Sequence, residues 1–478
     1  MQMFAIVVSF ALTIIAIAML VPAVRRILAV IRSGQPAPGR SENPTGRAVT
    51  MLKETFLHTR MLQWHWVGIM HWFVYMAFLF LSTAVLAAYF QLFKPDFAYP
   101  IIGHWYPFEW LMEIIGALST VGIVFLIIYR QKHHPRSEGR NSRFYGSNFW
   151  QAYFVEALAL LEGAAILFVR AAEWRLDEDA SRLHYPFSSW LGDLLYPSSV
   201  TSLENLIYLI ATFKIALAMI WLMVIARNIT MGIAWHRFTA WFNIYFKRES
   251  DGSTALGAMK PLTSEGKAIT LDDIDDLDEE SVLGVGKVED FSWKGILDFT
   301  TCTECGRCQS QCPAWNTEKP LSPKLLITSL RDHAYAKSAG DESHTERALI
   351  GSGTKGESGG TVGTDVLDYF YNPEDAPFVI DEDVLWNCTS CGACVQQCPV
   401  DIEHVDHIMD MRRYQVLVES NFPAELNQLF KGLENKGNPW NMSSTARMDW
   451  AKGLEFDVPV VGEDLESLES VDWLFWLG

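Results

Sequence analysis

Two runs decide the reading of this chain: Cys302-Thr-Glu-Cys305-Gly-Arg-Cys308-Gln-Ser-Gln-Cys312-Pro313 and Cys388-Thr-Ser-Cys391-Gly-Ala-Cys394-Val-Gln-Gln-Cys398-Pro399. Both are spaced C-x2-C-x2-C-x3-C-P. Three thiolates at steps of three converge from one tight loop onto one iron cube, and the fourth, followed by proline, caps the other cube. The spacing therefore assigns one [4Fe–4S] cluster to Cys302, Cys305, Cys308 and Cys398, and a second to Cys388, Cys391, Cys394 and Cys312. Gly306 and Gly392 let the backbone wrap closely, with N–H groups free to face cluster sulfurs. All eight cysteines of the chain lie in these runs, so none remains for a disulfide or a nucleophile. Zinc would be satisfied by one C-x2-C pair from each run and needs no third and fourth cysteine at fixed offsets.

Composition divides the chain near Arg248. Residues 1–248 carry a net charge of +7 and residues 249–478 one of −25, within a total of −18. The basic part is built of long apolar runs. Five of them, at 3–24, 64–93, 106–129, 149–170 and 203–226, reach the length of about 20 residues that a bilayer demands. The first lacks a basic leader and a small-residue cleavage site and ends in Arg25-Arg26, so it reads as an anchor and not as a cleaved signal. The 25–60 and 130–143 loops are rich in arginine and lysine, whereas the 171–200 loop carries Glu173, Asp177, Glu178, Asp179 and Asp193. By the positive-inside rule the N-terminus lies outside and the cysteine-bearing part lies in the cytoplasm. Iron–sulfur thiolates need that same reducing compartment.

These features predict a mainly α chain, with a five-helix transmembrane bundle followed by a helical two-[4Fe–4S] ferredoxin-like domain. The expected divisions are a transmembrane cytochrome b-like domain at 1–248, an acidic linker at 249–290, a helical di-cluster domain at 291–420 and a C-terminal segment at 421–478. Asn228 to Arg248, dense in aromatics, reads as an interfacial helix or an extension of the fifth span. The linker, with Asp272, Asp273, Asp275, Asp276, Asp278, Glu279 and Glu280, reads as a solvated spacer, or else as a docking strip for a basic partner. Helices are expected at Leu321–Lys337, opened by Ser322-Pro323, and from Ile402 to Glu419. The Gly/Ser/Thr-rich stretch 339–365 reads as a surface insertion.

Ionisable groups inside a membrane are costly and mark function. His65 and His71 lie near the start of the second span and His236 just past the fifth. Two histidines from different helices would hold one b-type haem. His71 with His236 is the first pairing and His65 with His236 the second, since residues 65 and 71 face different sides of one helix. Depth favours His65, because His71 sits about 10 Å inside the span at 1.5 Å per residue. A Trp- and His-rich helix end is also an ordinary interfacial anchor. His104 and His184 fall in outer loops and read as solvated. Lys214 in the fifth span matches Glu162 in depth, with Glu156 and Glu113 the other buried acids. An ion pair and a proton route to a quinone site are both open for it.

Cys302 to Thr317, with Lys319-Pro320-Leu321-Ser322-Pro323-Lys324, Pro399-Val400-Asp401-Ile402-Glu403-His404 and Gly437-Asn438-Pro439-Trp440-Asn441, resembles membrane-bound electron-transfer-flavoprotein:menaquinone oxidoreductases. These belong to the wider iron–sulfur reductase family that includes heterodisulfide reductase. The membrane half is similar in layout to the gamma subunit of nitrate reductase, and Met231 to Phe238 and Met70-His71-Trp72 match that pattern. The resemblance implies electron flow from a reduced cytoplasmic donor, an electron-transfer flavoprotein in such families, through two [4Fe–4S] clusters and haem b to menaquinone as substrate. Family members continue into cysteine-rich CCG segments, whereas this sequence stops at Trp473-Leu474-Phe475-Trp476-Leu477-Gly478. A fragment, or a separate CCG-domain polypeptide as partner, is the expectation. The alternatives are a heterodisulfide- or sulfite-reduction complex and a non-catalytic membrane anchor and electron wire. The expected location is the cell membrane, and no nucleic-acid partner is expected.

Overall fold

The computed structural model describes residues 1–478 except 178–180, 255, 265–266, 278–280, 353–365, 375 and 477–478. Glu178, Asp179, Asp278, Glu279, Glu280, Leu477, Gly478 and the 353–365 part of the Gly/Ser/Thr-rich stretch therefore lie outside the described residues.

Among the described residues five helices are long and apolar enough to cross a membrane. They are α1 (Gln2–Arg32), α3 (His65–Gln91), α4 (Tyr106–Lys132), α5 (Phe149–Leu176) and α6 (Val200–Arg227), with α2 (Pro44–Leu57) between the first two. Large apolar side chains such as Phe4, Ile14, Ile17, Val121 and Ile128 point outward, as lipid contact requires. Small residues line the helix seams instead. Ala5 and Ala16 of α1 pack against Ala211 and Ile215 of α6, and Ala77 and Ala84 of α3 pack with Met112 and Ile166. Without a hydrophobic drive between helices in lipid, close approach at small residues is what gains dispersion contact.

After Arg227 the chain turns through Asn228–Met231 into α7 (Gly232–Tyr245). The cysteine-bearing part follows, with α8 (Trp293–Thr301), α9 (Pro323–Ser338) and α10 (His404–Leu417). Ser322 caps α9 by accepting the Leu325 N–H at 3.2 Å. A two-stranded parallel sheet, β1 (Ala348–Gly351) with β2 (Phe378–Asp381), pairs Ile350 with Ile380.

Residues Met1–Tyr414 form one compact unit and Gln415–Gly478 a second. The larger unit contains both the membrane helices and the cysteine runs, and polar ties cross between them. Gln35 N–H donates to the Phe291 carbonyl and Trp293 N–H donates back to that of Gln35, both at 2.9 Å. Lys324 Nζ donates to the Tyr145 carbonyl at 2.5 Å and to Ser147 Oγ at 2.9 Å. Within this unit Leu256 packs beside Cys308, Cys394 and Val405, and Lys260 bonds Glu403 at 2.8 Å. The smaller unit contains α11 (Leu426–Lys436), closed by Gly437 at φ +68°.

Candidate functional site

The two cysteine runs fold alike. In each, the residue two after the first cysteine and the glycine four after it have left-handed backbones: Glu304 (φ 56°) and Gly306 (71°), then Ser390 (55°) and Gly392 (74°). Alternating handedness curls successive N–H groups toward one centre, the geometry of an anion-binding nest. A short helix follows each curl, Arg307–Ser310 and Ala393–Gln397. Gly306 sits on the Arg143 carbonyl, where any Cβ would overlap it. N–H groups reach sulfur within this part: Ser390 to Cys388 Sγ and Ile402 to Cys398 Sγ, both at 3.4 Å.

All eight thiols are free. Cys312, from the first run, lines one small cavity with Cys388, Cys391 and Cys394. Cys398, from the second run, lies in the electrostatic neighbourhood of Cys305 and Cys308. Among the described residues no three His, Cys, Asp or Glu groups converge on a single-ion site. Burial pushes the Cys302 thiol up to about 12 and holds Cys308 well above its ordinary value. Such buried thiols become thiolates only where a cationic centre offsets the desolvation, which is the chemistry of ligands. Buried cations stand close by. Arg60 donates to the carbonyls of Val395, Gln396 and Cys398 at 2.8–2.9 Å, and Arg307 is 1% exposed.

Between the membrane helices and the first cysteine curl lies a cavity of about 450 Å³. It is ligand-sized. His58, His71 and His236 line it on one side, and Thr303, Glu304, Cys305, Pro399 and Val400 on another. The ring centres of His71 and His236 are 6.5 Å apart. Two imidazoles sharing one metal through bonds of about 2 Å would place their centres roughly 6 Å apart. His236 Nδ1–H donates to the Gly232 carbonyl at 3.2 Å, leaving Nε2 as the lone-pair nitrogen. Burial lowers the His236 pKa to about 4, so the ring is neutral and able to ligate. The residues present fit a bis-imidazole cofactor.

His65 is set apart from this cavity. It is exposed, with Nδ1 bonded to the Leu62 carbonyl at 2.6 Å. His58, which sequence reasoning missed, bonds His71 at 3.2 Å. It falls in a turn with no periodic relation to the spans, and only tertiary packing reveals it. His104 is exposed, whereas His184 is held by Glu109 at 2.5 Å and stacked 4.2 Å from Tyr106. Lys214 Nζ donates to the Ala84 carbonyl at 3.0 Å. Glu113 and Glu156 are taken by arginines near helix ends, Arg170 at 2.9 Å and Arg130 at 2.6 Å.

Comparison with known proteins agrees with the iron–sulfur part of this chemistry. Residues 301–402 match the model of a 4Fe-4S dicluster domain. The chain is 27% identical over 430 residues to an EtfAB:quinone oxidoreductase of Syntrophomonas wolfei, covering 87% of this chain and 55% of that protein. It is 37% identical over 229 residues to a probable iron–sulfur-binding oxidoreductase, FadF, of Bacillus subtilis, covering 45% and 32%. A probable membrane-anchored ferredoxin of Chromohalobacter salexigens is 33% identical over 247 residues, covering 52% and 32%. The chain thus spans from 32% to 55% of the length of these relatives. No solved structure matches. The chain is a membrane protein carrying a 4Fe-4S dicluster domain, similar to iron–sulfur oxidoreductases.

Proposed function

We propose that this chain is the membrane conduit of a quinone-linked oxidoreductase, carrying electrons from a reduced cytoplasmic flavoprotein, the electron-transfer flavoprotein, to menaquinone. The observation that carries the reading is the shared cavity: Cys305 of the first curl and the His71–His236 pair line the same space. Cys302, Cys305, Cys308 and Cys398 would hold the cluster beside that cavity, and Cys312, Cys388, Cys391 and Cys394 the outer one. Cys308 and Cys394 lie in one apolar cluster with Val405, which keeps the two sets adjacent. Cys391 is exposed, so the outer set is the side a donor can reach. His71 and His236 would hold haem b. The clusters and the haem, when bound, supply one-electron carriers.

The chain's own residues do the rest. The paired left-handed curls fix the thiols, and Arg60, Arg143 and Arg307 place positive charge against the inner set. The Lys/Arg-rich loops set the cysteine domain on the cytoplasmic side. The relative named EtfAB:quinone oxidoreductase supports the donor and a quinone as acceptor. A second reading, a wire whose chemistry sits in a partner, is favoured by the relative named a membrane-anchored ferredoxin. The deciding experiment uses purified full-length chain in detergent. Reduced electron-transfer flavoprotein is added with a soluble menaquinone analogue, and quinol formation is followed beside the haem content. Quinol formation with about one haem per chain supports the conduit. Haem without quinol formation supports the wire, and absence of haem removes the cytochrome from both.

A further inference from the structure

The hydrogen bonds around His71 have a direction. A carbonyl oxygen can only accept, so the 2.8 Å contact between His58 Nδ1 and the Thr55 carbonyl places a proton on His58 Nδ1. In the neutral ring His58 Nε2 then carries the lone pair, and its 3.2 Å partner, His71 Nδ1, must be the donor. That leaves the lone pair of His71 on Nε2. Among the described residues this nitrogen makes no hydrogen bond, and His71 lines the cavity. The relay runs from His71 through His58 to the backbone of α2.

The local fold is arranged to hold this relay. His58 ends α2 in a left-handed conformation (φ 50°), which is uncommon for a residue with a side chain and persists where packing demands it. The turn is fixed beneath it by Trp72 Nε1–H donating to the Phe56 carbonyl at 2.8 Å. The His58 ring is packed 4.8 Å from that of Tyr75.

We propose that His58 is a positioning residue that selects the His71 tautomer and strengthens Nε2 as an iron ligand. The proposal rests on the haem reading given above. An acceptor on the far nitrogen makes a ligating imidazole more basic, and outer partners of this kind are worth 10–100-fold in metal affinity. A more basic ligand favours ferric over ferrous iron, so removing the acceptor should weaken that preference. Each tenfold loss is 59 mV for one electron.

The test uses full-length haem-loaded chain in detergent, comparing His58→Ala, His58→Phe and His58→Gln with wild type. Phe keeps the ring packed on Tyr75 without its nitrogens. Gln can accept from His71 with its oxygen and donate to Thr55 with its nitrogen. Redox titration and low-temperature paramagnetic resonance are the readouts. Ala and Phe should stay six-coordinate and low-spin, with the potential raised by a tenfold or greater change in preference and with shifted resonance positions. Gln should lie close to wild type. An unchanged potential and spectrum in Ala and Phe overturns the proposal while leaving the haem reading intact. A high-spin spectrum in both would make His58 an axial ligand itself, which also overturns it. Wild type without haem removes the haem reading and this inference together.

Discussion

Arg40 and Glu403, 363 positions apart, meet in a buried two-pronged ion pair, with Nη1–Oε1 at 2.5 Å and Nη2–Oε2 at 2.6 Å. Arg40 leads into α2 on the membrane side, and Glu403 follows the second cysteine run. Lys260 at 2.8 Å and Lys294 at 3.6 Å share the same carboxylate. Burial alone would raise the Glu403 pKa, but Lys294, Lys260 and Arg40 outweigh it and hold the carboxyl well below the usual range.

Removing Arg40 takes away the two-pronged donor and leaves Glu403 with Lys260 and Lys294 alone. Arg40→Ala should therefore cost about 1–3 kcal/mol, the penalty of a buried acceptor that has lost its hydrogen bonds. The expected result is earlier thermal loss of the visible iron–sulfur absorbance, relative to wild type. A carboxyl with depressed folded pKa stabilises above its unfolded value, about 4.3, and loses that contribution as pH falls through the folded value. The Glu403 contribution in wild type should therefore persist to below pH 4. Limited proteolysis across a pH series should find cleavage within 249–290 beginning at higher pH in the variant.

Cys398→Ala should damage the cluster held mainly by the first run, and Cys312→Ala the one held mainly by the second. Paramagnetic resonance of the reduced chain separates the two. Loss of only the second run's signal from Cys398→Ala would reverse the assignment. Wild type should contain about eight non-haem irons and eight acid-labile sulfides per chain.

His71→Ala and His236→Ala should each abolish a low-spin haem spectrum, because each removes one of two axial nitrogens. His65→Ala and His104→Ala should leave it in place, since both side chains are exposed away from the cavity. Optical and paramagnetic resonance spectra of the four variants read the spin state, and a pyridine haemochrome assay gives their haem content.

Gly232 opens α7 against the carbonyl of Cys302, and a Cβ there would overlap that oxygen. Gly232→Ala should destabilise by about 1–3 kcal/mol through overpacking. It should also disturb the His236 helix and the first cysteine curl together, sparing the second run's signal. Equal disturbance of both cluster signals would show a global effect instead.

Much of this was legible from residues alone. The spans were readable because about 20 apolar residues in a row have few alternatives to a membrane helix. The cysteine spacing is a local constraint, and the structure gathers Cys312 with Cys388, Cys391 and Cys394 in one cavity. The polar interior was much less readable. Charge depth put Lys214 with Glu162, and the two are electrostatic neighbours; it gave no sign that Arg170 and Arg130 reach in from helix ends to take Glu113 and Glu156. Long arginine side chains decouple where a charge starts from where it acts. His58 was invisible for a related reason, since its contact with His71 depends on how a turn folds and not on any sequence period.

The seats of Leu256, Lys260 and Phe291 on the rest of the larger unit have a kinetic consequence. An iron–sulfur module on a free tether would have to search for its membrane contact, and its turnover would slow as the medium thickened. Here Leu256 and Lys260 are seated, Gln35 is laced to Phe291 and Trp293, and Arg40 grips Glu403. No search remains to be made. Passage between Cys305 and the histidine cavity should therefore be insensitive to viscosity, and thickening the solvent should slow only the arrival of the external donor.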